Sequence, residues 1–181
     1  HDQDQFDRSE PIQPELRAVD AYNSQEELIA WVRGFGVTTI HTGHGPGELI
    51  SGQTMIVKTT GNTVEDATLV AARAVAVTLS SRAQKSDGKS PGTRGKMISM
   101  LRAELIKAQE DGAQVKAAAD DDEQDRPARD LRLETLAAVL QGDMPLLVTA
   151  QRAQDIASAL RLAKEFNINI WLDGAAEAYV L

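Results

Sequence analysis

DLRLETLAAVLQGDMPLLVTAQRAQDIASALRLAKEFNINIWLDG, from Asp130 to Gly174, decides the fold. Leu133, Leu136, Ala137 and Leu140 recur on one helical face, Gly142 stops that helix, and Pro145 to Val148 reads as a short buried strand. A second helix carries Ile156, Ala159, Leu160 and Ala163 inward, Asn167 caps it in the left-handed region, and Ile168 to Leu172 forms another apolar strand. This is an αβαβ unit, whose strands lie parallel with a right-handed crossover. Ligand chemistry in such folds sits beyond the carboxyl ends of the strands, which singles out Thr149, Gln151, Arg152, Asp173 and Gly174.

Working back toward the start, residues 117–129 form an acidic run expected to be mobile, preceded by a helix over Lys96 to Glu110 with Ile98, Leu101 and Leu105 inward. Ala83 to Gly95 reads as a basic loop, in which Lys85, Lys89, Arg94 and the following Lys96 either meet a phosphate or simply face solvent. The alanine-rich run from Val64 to Arg82 is taken as a buried helix, although periodicity alone does not decide it. Strands are expected at Val37 to His41 and Met55 to Lys58. Ser24 and Glu27 form a capping box ahead of an amphipathic helix with Leu28, Trp31, Val32 and Phe35 inward, and Pro14 to Tyr22 reads as a short helix. Residues 1–12 are a polar arm, where His1 is a ligand or a tag remnant.

With 181 residues the chain suits one domain, spanning 1–181, and falls short of the roughly 250 residues usual for a closed (β/α)8 barrel. It begins without an initiator methionine or signal peptide, as a piece of a longer product or a processed one would. No apolar run approaches a membrane span, and the net charge of -8 works against nonspecific nucleic-acid binding, so neither membrane nor nucleic acid is expected as a partner. A soluble protein of the cytoplasm or periplasm is expected. The absence of cysteine removes disulfides, thiolate metal sites and cysteine nucleophiles.

Four glycines, Gly43, Gly45, Gly47 and Gly52, make the loop after the first strand one whose backbone can approach a ligand closely. Within it His41 and His44 suit metal binding, substrate lining or loop structure, and two histidines alone do not make a zinc site. Gln53 can hold loop or ligand, and Lys58 either points into a site as a base or leaves for solvent. Nucleotide-binding glycine motifs are missing, and so is any histidine after position 44 to serve a serine nucleophile.

Two stretches, GVTTIHTGHGPGELISGQTMIVKT and LLVTAQRAQDIASALRLAKEFNINIWLDGAAEAY, occur in the order found in the amidohydrolase superfamily and resemble its imidazolonepropionase-like members. The resemblance covers residues 13–60 and 131–179 and implies an α/β fold, a partial TIM-type (β/α)8 barrel of roughly strands 2 to 6, parallel with flanking helices. It also implies hydrolysis of C–N bonds by metal-activated water, with zinc the expected cofactor. The ligand histidines of the fifth and sixth strands fall on Thr149, Gln151 and Gly174, so the metal site is not retained at these positions. What remains, including Gly36 to Thr39, Pro46, Asp155, Glu165 and Glu177, supports the fold more than an activity.

The expectation is therefore a chain that is not catalytic alone and needs the rest of a barrel or a companion chain. The alternative is a metal-free relative that binds a small molecule or serves as an accessory subunit, and self-association stays open. Pocket residues under either reading are His41, His44, Gln53, Lys58, Gln151 and Arg152, with Asp173 as the proton carrier.

Overall fold

The computed structural model describes residues 5–86, 88–120 and 127–181. Five strands form one sheet in sequence order: β1 (Thr39–Gly43), β2 (Ile50–Lys58), β3 (Thr68–Thr78), β4 (Leu146–Ala150) and β5 (Ile170–Gly174). Helices are α1 (Glu27–Gly34), α2 (Val64–Ala67), α3 (Arg94–Asp120), α4 (Leu131–Gln141) and α5 (Ala153–Phe166).

The C-terminal unit forms as the spacing dictates. Asp130 caps α4 by accepting from the amides of Arg132 and Leu133, and Gly142 ends it at φ 86°. Asn167 closes α5 at φ 53°, and β5 then pairs parallel with β4, matching Thr149 with Asp173. On α4 the buried residues are Thr135, Leu136 and Val139, with Leu133 and Leu140 packed beside them. On α5 Leu162 joins Ile156 and Ala159 in the core, whereas Leu160, expected inward, is exposed.

The sheet is mixed rather than wholly parallel. β1 and β3 both run antiparallel to β2, and only β3–β4 and β4–β5 are parallel. The loop of residues 44–49 between β1 and β2 is too short for the crossover that parallel neighbours require, so it returns as a hairpin. The run expected as a helix from Val64 is a strand for most of its length. Only α2, capped by Thr63, is helical; Thr68 onward pairs with β2 and then β4. Ala74 to Thr78 is buried in the middle of the sheet, a position in which alanine and valine fit and tertiary pairing overrides alanine's helix preference.

Two further expectations change near the start. Residues 14–22 contain only a single 3-10 turn, Ala18–Asp20. Ser24 does not cap α1: its hydroxyl donates to the Asn62 carbonyl, and the helix begins after Glu26. The α1 face expected inward lies on the surface, with Leu28, Trp31 and Phe35 exposed and the two rings in edge contact at 4.9 Å. Farther on, α3 extends past Glu110 to Asp120, so the expected mobile run begins as helix; residues 121–126 lie outside the described residues.

The main core lies on one side of the sheet, where Val75, Val77, Leu146 and Val148 meet Leu101, Leu105, Leu136, Val139 and Ile156 of the helices. Ion pairs bind the helices together: Arg94 to the buried Asp155, and Arg102 to Glu165 in a two-pronged contact of 2.6 and 2.8 Å. On the same side of β1 and β2, Ala18 and Tyr22 cover Met55 and Val57. The opposite side is left for other work. Among the described residues no helix is long and apolar enough to cross a membrane.

Candidate functional site

Alternation along the strands puts His41, Thr54, Thr149, Trp171 and Asp173 on the sheet face away from the helices. That face is concave. His41 belongs to one edge strand and Trp171 to the other, yet their ring centroids are 6.3 Å apart at an interplanar angle of 86°. Only a sheet curled through its three middle strands brings those edges together.

A bulge helps to furnish this face. Pairing between β2 and β3 jumps from Thr54/Ala74 to Ile56/Val70, which gives β3 extra residues and re-aims Arg73. Its guanidinium sits 4.2 Å from the centre of the Trp171 ring, within range of a cation–π contact.

The His41 Nε2 lies 2.7 Å from Thr54 Oγ1, and that hydroxyl donates its single proton to the Ala74 carbonyl at 3.3 Å. With the hydroxyl proton so placed, its oxygen accepts from Nε2–H and Nδ1 carries the lone pair. Burial, and secondarily the Arg73 charge, hold the His41 pKa below the ordinary imidazole value. His41 is therefore a neutral imidazole with one basic nitrogen. On the adjoining parallel strands, Thr149 donates to Oδ2 of the exposed Asp173 at 2.8 Å.

The remaining expected residues do not converge here. Gln53 is buried on the helix side, where its amide donates to Pro14 O and Thr135 Oγ1, each at 3.1 Å. Lys58 ends β2 at the opposite end of the sheet from Gly174 and donates to Thr39 Oγ1. The His44 ring packs over Gly52, where a Cβ would approach it to 2.5 Å, and faces a separate cavity of about 190 Å³ beside Tyr22, Ile29 and Met55. Gln151 folds over Gly174, its amide occupying the space a Cβ would need at 2.0 Å, while Arg152 stands exposed ahead of α5. Of the basic loop, Lys85 and Arg94 are committed to Glu48 and Asp155.

Sequence reasoning missed Arg73, Thr54 and Trp171. Arg73 falls in the alanine-rich run that reads as a helix, and no spacing rule links residues on opposite sheet edges.

This arrangement can bind a small molecule through a cationic, aromatic and hydrogen-bonding surface. Among the described residues no group of three or more His, Cys, Asp or Glu side chains is placed to share an ion, His41 Nε2 is engaged with Thr54, and Asp173 with Thr149.

No protein-family model matches the chain, and a search of curated proteins finds no match. Among solved structures, the crystal structure of an amidohydrolase from Thermotoga maritima MSB8 is similar over 98% of this chain, with a TM-score of 0.93 and 24% sequence identity. The chain spans 47% of that protein, about half its length. Likeness at this identity is likeness of fold: the chain shares its curled five-stranded sheet and helices with that structure.

Proposed function

We propose that this chain builds about half of an amidohydrolase-type barrel and lines its substrate cavity with the concave face, while groups outside the chain complete any hydrolytic centre. The observation that carries this reading is the fold likeness along nearly the whole chain to a protein described as an amidohydrolase. Hydrolysis of a non-peptide C–N bond is the reaction class, as the imidazolonepropionase-like resemblance implies. In this reading Arg73 and Trp171 hold the substrate, His41 Nδ1 accepts a hydrogen bond from it, and Asp173 moves a proton.

The donor set favours a second reading, a metal-free relative that binds a small molecule without hydrolysing it. Thr149, Gln151 and Gly174 stand where the resemblance calls for metal-binding histidines. One experiment separates the two readings. The chain alone, and a longer protein containing it, are assayed on a panel of cyclic imides, lactams and amidines with and without zinc or manganese. Turnover only in the longer protein, lowered by Asp173→Asn, supports the barrel-half reading; binding without turnover in either supports the metal-free relative. Turnover by the chain alone overturns both.

A further inference from the structure

A second site stands beyond the end of β3, away from the concave face. Glu48 precedes β2 and is buried, 2% exposed, with Oε1 at 2.5 Å from Lys85 Nζ and no donor to Oε2 among the described residues. A buried carboxylate with one partner holds that partner firmly, because releasing it would strand a charge away from water. Lys85 is fixed from its backbone as well, through its amide to Pro91 O at 2.7 Å. The neighbouring loop is pinned by Gly47 N–H donating to Thr78 Oγ1 at 2.9 Å, and a Cβ on Gly47 would meet the Phe6 ring at 2.4 Å.

Phe6, Arg8, Gly47, Arg82, Gln84 and the Glu48–Lys85 pair enclose a cleft of about 230 Å³. Lys85 is balanced by Glu48. Arg8 and Arg82 have no carboxylate partner among the described residues, and Arg8 rests 5.8 Å from the centre of the Phe6 ring. Two uncompensated guanidiniums beside a positioned ammonium form a local positive cleft on a chain of net charge -8.

We propose that this cleft binds a small dianion, a phosphate monoester or a dicarboxylate, whose two charges match Arg8 and Arg82 while Lys85 adds a fixed donor. The guanidinium fork suits the oxygens of either group. This site stands independently of the hydrolase reading, since it uses none of the concave-face residues.

The test titrates inorganic phosphate, and separately succinate, into the full chain at low ionic strength, following backbone amide shifts by NMR. Arg8→Ala and Arg82→Ala are compared with Lys164→Ala, an exposed cation on α5; Arg8 and Arg82 are themselves exposed, so their loss spares the core. Saturable binding with shifts at Gly47, Arg82 and Lys85, weakened about tenfold or more by either arginine substitution but not by the control, is the expected result. Response to phosphate alone assigns a phosphoryl ligand, to succinate alone a dicarboxylate. Failure of both anions to saturate, or equal binding by the arginine variants and the control, overturns the proposal.

Discussion

His41 and Trp171 stand edge to face at 6.3 Å across the two edges of a five-stranded sheet, so one contact reports the curl of the whole sheet. Burial disfavours the histidine's cation, and the Arg73 guanidinium disfavours it further. The folded chain therefore binds this proton more weakly than the unfolded chain. The stabilisation is complete above the unfolded imidazole value of about 6.5 and is lost as pH falls through the lower folded value. Thermal melts between about pH 7 and pH 5.5, above most carboxylate titrations, should show stability declining in the parent chain and a shallower decline in His41→Gln. Equal slopes would mean that the fold does not hold the His41 imidazole below its unfolded value.

Two glycines on adjoining parts of the site separate flexible from rigid crowding. At Gly174, φ 79°, the three atoms nearest to a Cβ all belong to the exposed Gln151 side chain, which can swing out. What remains is backbone strain, about 1–2 kcal/mol. At Gly43, φ 135°, a Cβ meets Thr54 Cα at 2.8 Å and Gln53 O at 2.9 Å, both backbone atoms within the β1–β2 pairing. Gly43→Ala should therefore cost more than Gly174→Ala in chemical denaturation. Adding Gln151→Ala to Gly174→Ala should change little, and a large rescue by it would show that the clash, not the φ angle, dominates.

The αβαβ unit was legible because its signals are local: Asp130 at a helix start, Gly142 and Asn167 at helix ends, apolar runs between. β3 was not, because an Ala-Val alternation satisfies helix and strand alike until a neighbour offers ladder hydrogen bonds. The same reasoning explains α1. Its apolar spacing is real, but spacing names a face and not what covers it, and Leu28, Trp31 and Phe35 remain exposed among the described residues. For the site, His41, Thr149 and Asp173 were found from strand ends, while Arg73 depends on a bulge and Trp171 on the curl, neither of which a sequence period encodes.

Gln53 links three segments that are distant in sequence. It lies on β2 and donates to Pro14 O in the N-terminal segment and to Thr135 Oγ1 on α4 from a buried position. Gln53→Leu keeps the volume but strands Pro14 O, while Thr135 Oγ1 keeps its own bond to Leu131 O. A loss of about 1–3 kcal/mol is expected, by the cost of one buried unsatisfied carbonyl. Urea denaturation measures it; a loss below about 0.5 kcal/mol, the range of an ordinary surface change, would mean that the segment around Pro14 is not held by this bond.

Arg94 and Asp155 decide how the long helix α3 is tied to α5. Asp155 is 4% exposed in the first turn of α5, and Arg94 at the start of α3 reaches it with Nε at 2.7 Å and Nη2 at 3.5 Å. Removing the arginine leaves a carboxylate buried and unpaired, a cost of about 3–5 kcal/mol in a dry site. The Arg94 side chain is 39% exposed, so water enters when it leaves and screens the charge. Arg94→Ala is accordingly expected near about 2 kcal/mol. Asp155→Asn should cost less, since a neutral amide tolerates burial beside the same guanidinium and leaves no stranded charge. The double variant Arg94→Ala/Asp155→Asn should be more stable than Arg94→Ala alone. If it is less stable, the carboxylate works through the positive end of α5 rather than through Arg94, and the α3–α5 tie rests on Arg102 and Glu165 instead.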